Sequence, residues 1–139
     1  MSDRLEIDDL INTYAVAVDR RDDTLFAALW VAGSQMVVDY GRTGLGTVAE
    51  YSFPEEISRF LERLRQFDRS LHCLTTRRIV VDGEAATGEL YCDAHYVTGA
   101  VDLLMAVRYD DRYARSKAGW RFTGRTVNVL WTSEIAVNI

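Results

Sequence analysis

Proline occurs once in this chain, at Pro54, and cysteine only twice, at Cys73 and Cys92. Two cysteines exclude a disulfide framework, and their separation matches no zinc-finger spacing. Long apolar runs are also missing. The stretch from Val101 to Val107 is interrupted at once by Asp102, and nothing approaches the roughly 20 apolar residues that cross a bilayer. Basic clusters are absent too: 16 basic side chains stand against 21 acidic ones, for a net charge of -5. A nucleic-acid backbone is therefore not an expected partner. The opening residues are acidic and helical in pattern, without the basic start and apolar centre of a secretory leader, so the expected compartment is the cytoplasm. No nucleophile elbow and no glycine-rich phosphate loop is present, which removes two common catalytic devices.

What is present is a balanced composition, 48% hydrophobic and 27% charged over 139 residues, which reads as one globular domain spanning 1–139. Ile7, Ile11, Tyr14 and Val18 recur at helical spacing after Ser2 or Asp3 as a cap, with Glu6 in the first turn. Asp22 caps a second helix that carries Leu25, Phe26, Leu29 and Trp30. Gln35 to Tyr40 reads as a strand, and Gly41, Gly44 and Gly46 mark a flexible loop. Ser52, Pro54, Glu55 and Glu56 announce a third helix with Ile57, Phe60, Leu61 and Leu64 on its inner face. After Asp68 the period falls to two. Ser70–Val81, Ala85–Thr98, Asp102–Tyr113 and Trp120–Trp131 then read as four long strands. Helices followed by an antiparallel sheet define an α+β chain, with the helices packed on one face of a curled sheet.

If Asp82-Gly83 forms a two-residue hairpin loop, Val81 pairs with Glu84. His72 then lies opposite Asp93, His95 projects from the same face, and Cys73 meets Cys92 on the reverse face. Both histidines would gather beside a carboxylate, a grouping that tunes proton affinities in active sites. Two His and one Asp could also hold iron or zinc, yet the spacing matches no metal motif, so no metal is expected. The cysteines read as buried thiols. Tyr14 lies on the apolar stripe of the first helix and is as readily a core aromatic as a functional phenol. Asp19 stands at the C-terminal end of that helix, where the helix dipole disfavours a carboxylate, so a compensating partner is expected.

Taken together, Tyr14 with Asp19 five residues later, the stretch Asp19-Arg20-Arg21-Asp22 and the run His72-Cys73-Leu74-Thr75-Thr76 resemble the SnoaL-like branch of the nuclear-transport-factor-two-like superfamily, over nearly the whole chain. The resemblance implies a cone-shaped curved antiparallel or mixed sheet wrapped around the N-terminal helices. It is closest in kind to the cofactor-independent dehydratases, cyclases and dehydrohalogenases of that branch. It implies an acid–base pair of Asp19 and His72, a tyrosine hydroxyl at Tyr14 that polarises a substrate oxygen, a third acid–base group at Asp93 or His95, and an arginine at Arg125.

The expectation is therefore a lyase or isomerase without a cofactor. His72 would abstract a proton while Asp19 fixes its tautomer, and Tyr14, with Arg125, would stabilise developing negative charge. The alternative is a module of the same fold that binds a small molecule, or pairs as a subunit, without turnover. Trp30, Phe60, Met105 and Val107 are the expected pocket lining, suited to a small apolar ligand with one polar end. Leu90, Cys92, Ala94 and Tyr96 would form an apolar outer face, from which a homodimer or homotrimer is expected.

Overall fold

The computed structural model describes residues 2–139. Its first helix, α1 (Asp3–Arg20), starts where the Ser2 side chain accepts a hydrogen bond from the Leu5 N–H, with Asp3 and Glu6 in the positive first turn. The helix ends at Arg21, held in the left-handed region at φ 54°, whose N–H and that of Asp22 return to the carbonyls of Val18 and Ala17. Asp22 at once caps α2 (Asp23–Ala27), accepting from the Leu25 N–H at 3.0 Å.

This second helix is shorter than its apolar spacing suggested. The Leu29 carbonyl accepts a hydrogen bond from the Phe122 N–H at 2.8 Å, so the sheet takes over the chain and Trp30 opens β1 (Trp30–Asp39). The strand thus begins before the expected Gln35. A further strand, β2 (Ala49–Phe53), occupies a stretch read as loop and helix entry, and it pairs antiparallel with β1. Next comes α3 (Ile57–Leu64), burying Ile57, Phe60, Leu61 and Leu64 as its spacing requires. The four long strands follow as β3 (Arg69–Asp82), β4 (Ala85–Thr98), β5 (Val101–Ser116) and β6 (Gly119–Ala136).

The strands form one unclosed sheet in the order β2-β1-β6-β5-β4-β3. All pairings are antiparallel except β1 with β6, which is parallel, so the sheet is mixed. Register shifts interrupt β5 and β6 twice, and such bulges add bend and twist to long strands. The sheet curls around α1, whose buried stripe meets an aromatic cluster of Phe26, Trp30, Phe53, Phe60 and Phe122. Helices at the N-terminus inside a curved mixed sheet are the architecture expected from the sequence.

One register correction decides the chemistry. The β3–β4 loop is Gly83-Glu84, with Asp82 opposite Ala85, and a bulge at Thr75 and Thr76 follows. Beyond that bulge His72 faces Ala94, Cys73 faces Asp93 and Leu74 faces Cys92. Leaving out the bulge would keep His72 on one face with Asp93 and His95. A single extra residue moves His72 to the other face. Leu90, Cys92 and Ala94 are therefore buried on the concave side, and with Tyr96 they belong to the inside rather than to an outer apolar face. Cys73 and Cys92 do not meet. Burial pushes the Cys92 thiol up to about 12, so it is an inert core group.

Candidate functional site

The concave side of the sheet, closed by α1 and α3, encloses a cavity of about 220 Å³. Phe60, Met105 and Val107 line it, as does Tyr14. Trp30 does not. It stacks on Phe122 and packs at a tilt against Phe53, with ring centroids 4.8 and 4.7 Å away, and belongs to the buried core.

The last turn of α1 lies against the start of β3, which brings Asp19 to His72 across 53 positions of sequence. Asp19 Oδ1 is 2.6 Å from His72 Nδ1, and Asp19 Oδ2 accepts the His72 backbone N–H at 2.9 Å. Ser70 Oγ donates to Asp19 Oδ1 at 2.8 Å. These three donors supply the compensation that a carboxylate at a helix C-terminus needs. Burial pushes the Asp19 carboxyl up, but the hydrogen bonds and charge of His72, with Ser70, outweigh it and hold the group below the usual aspartate value. Arg21 fixes the helix end in place: its guanidinium donates to the Val18 carbonyl, to Ser70 Oγ and to the Leu64 carbonyl, joining α1, β3 and α3.

An ionised Asp19 accepts only, so Nδ1 of His72 is the donor in that bond, and in the neutral imidazole Nε2 is then the nitrogen that carries the lone pair. The Tyr96 hydroxyl lies 3.1 Å from that Nε2 and donates to it when the imidazole is neutral. Burial drives the Tyr96 phenol upward, so it is a neutral donor at ordinary pH. The His72 side chain is 3% exposed and Asp19 20%, so the imidazole is enclosed while its carboxylate stands behind it at the edge. The sequence placed Tyr96 on the face opposite His72, because the bulge has no signature there. Once the register is known, Tyr96 lies diagonally across the strand pair from His72 on the same face.

Tyr14 faces the cavity, with its hydroxyl donating to the Met36 sulfur at 3.5 Å, a weak acceptor that leaves the phenol available. Burial, opposed by the nearby Arg125 charge, pushes the Tyr14 phenol up to about 12.

Asp93, His95 and Arg125 are not where the sequence put them. Asp93 is exposed on the convex face. His95 is on that face too, its Nδ1 2.5 Å from Asp102 Oδ2, so His72, Asp93 and His95 form no cluster. Arg125 is fully buried beneath the cavity floor rather than lining it. Its Nε and Nη2 each lie 2.7 Å from the two Asp111 oxygens, and Tyr113 donates to Asp111 at 2.6 Å. The guanidinium stacks on Tyr109 at 3.9 Å and on Tyr14 at 4.2 Å, so it supports the cavity wall from behind.

A curved cystatin-like sheet around a helix, with a buried histidine and carboxylate beside an aromatic cavity, defines the class of small cone-shaped pocket proteins. Residues 1–126 match the SnoaL-like domain family, and the chain belongs to that family. The gamma-hexachlorocyclohexane dehydrochlorinase of Sphingobium indicum is 25% identical over 141 residues, covering 98% of this chain and 86% of that protein. Among solved structures, the type 3 hexachlorocyclohexane dehydrochlorinase of Novosphingobium barchaimii superposes with a TM-score of 0.82 at 21% identity, covering 98% and 93% of the two chains. A nuclear-transport-factor-two-like protein with a cystatin-like fold from Novosphingobium aromaticivorans superposes at 0.77 with 22% identity, over 92% and 82%. No helix among the described residues is long and apolar enough to cross a membrane.

Proposed function

We propose that this protein is a cofactor-independent lyase or isomerase that removes a proton from a small, mostly apolar cyclic molecule held in the cavity. The observation that carries the reading is the hydrogen-bonded chain Asp19, His72, Tyr96 at the cavity wall, in which the carboxylate holds Nδ1 and leaves Nε2 to face the Tyr96 hydroxyl. In the proposed reaction a substrate displaces the Tyr96 hydroxyl from Nε2 and places its acidic C–H there. Nε2 takes the proton, and Asp19 stabilises the imidazolium that results. The electron pair left on carbon expels a leaving group on the neighbouring carbon, or returns elsewhere with a proton in an isomerisation. Tyr14 is the neutral donor placed to meet negative charge on a substrate oxygen or departing group. Similarity to a dehydrochlorinase at 25% identity supports elimination as the reaction type.

The second reading is a pocket that binds without turnover. It is favoured by the exclusion of Asp93, His95 and Arg125 from the cavity, which leaves only tyrosine hydroxyls as general acids. One experiment separates the two: product formation from cyclic compounds with a proton beside chlorine, hydroxyl or carbonyl substituents, hexachlorocyclohexane included. Turnover that drops about a hundredfold or more in His72→Gln is expected. Turnover untouched by that substitution, or ligand binding with no product from any compound, gives the second reading.

We also propose that the protein is a homo-oligomer, now on a corrected surface. The convex face carries Leu71, Trp131 and Ile135, which are 58, 66 and 51% exposed. Beside them Asp102 is buried, with its Oδ1 lacking any hydrogen-bond partner. Such a face is better covered than wet.

A further inference from the structure

The cavity wall holds one formally charged side chain, Arg63, and no carboxylate. Everything else that lines it is apolar, aromatic or neutral polar, and His72 and Gln66 are the remaining nitrogen-bearing side chains. Arg63 stands in the last turn of α3, exposed, as are Gln66 and Leu45, so these three mark the opening. Its guanidinium lies over the Tyr40 ring at 5.3 Å from the centroid. A side-chain carbon built on Gly46 would sit 4.0 Å from Arg63 Nη2 and 3.5 Å from the Tyr40 ring, so the guanidinium reaches across the mouth to the β1–β2 loop.

Its neighbours on α3 are engaged otherwise. Arg59 is paired with Glu56, and Arg65 with Glu62 and Asp23. Arg63 makes no ion pair among the described residues: its polar neighbour is the Tyr40 phenol, and the one acid of α3, Glu62, is paired with Arg65. The cavity therefore carries an uncompensated positive charge at its entrance, in a protein whose net charge is -5. A flat guanidinium held beside an aromatic ring and not neutralised by a carboxylate is the arrangement that takes an incoming carboxylate in a fork.

We infer that the ligand is an anion: an apolar, ring-sized body bearing a carboxylate or a similarly placed anionic oxygen, with the anion on Arg63 at the mouth and the body inside against Met105 and Val107. This rests on the reading of the cavity as the substrate site and adds the charge and orientation of the occupant. The reacting carbon then lies on the inner part of the molecule, toward His72, while the anionic group stays in reach of water and does not have to be buried.

The test uses a matched pair of probes, phenylacetate and its neutral amide, titrated calorimetrically into the full-length protein and into Arg63→Gln. Wild type should bind phenylacetate about twofold to fivefold more tightly than phenylacetamide, the size of effect an accessible charge pair gives. The preference should shrink with added salt. In Arg63→Gln it should vanish while the amide's affinity stays as it was. Equal affinities in wild type, a preference that survives Arg63→Gln, or no binding of phenylacetate would each overturn the inference. Its failure is distinguishable from that of the lyase reading: a wild type with no charge preference that still turns over substrate through His72 sinks only the anion, and an anion-selective pocket without turnover sinks only the chemistry.

Discussion

Asp19 is partly buried at the wrong end of a helix dipole, yet its three donors keep it ionised. Because its folded-state affinity for the proton is lower than the usual aspartate value near 3.9, the group contributes stability that is complete above that pH. The contribution disappears as pH falls through the lower folded value. Asp19→Asn should therefore be less stable than wild type near neutrality, by on the order of 1 kcal/mol. The gap should close in the acid range below about pH 4, where wild type loses the same charge. Urea denaturation of both proteins across pH 7 to pH 2 reads this directly. A gap that stays constant down the whole series would show that the carboxylate is not the ionised partner of His72.

At the scale of elements, the bulge of β3 decides what the cavity contains. With Thr75 and Thr76 opposite Tyr91, Arg77 turns toward α1, where its Nη1 donates to Asp8 at 2.8 Å, and Ser70 and His72 turn inward at the far end. Deleting Thr76 restores an uninterrupted ladder, and the alternation of the strand then sends the residues on one side of the deletion to the opposite face. If the Arg77 contact to α1 is kept, His72 leaves Asp19. The expected result is loss of the low-field imidazole N–H proton that a 2.6 Å bond to a carboxylate produces, seen by proton NMR in wild type but not in the deletion. The substitution Thr76→Val keeps chain length and should keep the signal. A deletion variant that folds and retains the signal would mean that the bulge does not set the face of His72.

For the whole molecule, a curved sheet has one face to fill and one to protect. The concave face is filled by α1, α3 and the cavity. Strand neighbours of the exposed Trp131 and Ile135 on the convex side include Ala106 and the buried Asp102. Light scattering at micromolar concentration should give a multiple of the 15.8 kDa chain mass. Trp131→Glu, which places a charge on the most exposed aromatic of that face, should shift the mass toward a single chain. A wild type that scatters as one 15.8 kDa species would remove the assembly.

Local physics was legible in the sequence. The caps at Ser2 and Asp22, the stripes of α1 and α3, the change of period after Asp68 and the family resemblance carried by Tyr14, Asp19 and His72 all followed from residue type and spacing. These depend on neighbours within a turn or two, which the chain itself supplies. What only the tertiary structure decided was which face each strand residue occupies and how deep it lies. The bulge at Thr75 and Thr76 has no local signature, yet it exchanges Asp93 and His95 for Ala94 and Tyr96 beside His72. Likewise β2 and the early start of β1 exist because β1 can pair on both sides, with β2 and with β6. Arg125 reads the same in sequence whether it lines a cavity or lies beneath one. Only the packing of Asp111, Tyr109 and Tyr14 around it put it underneath.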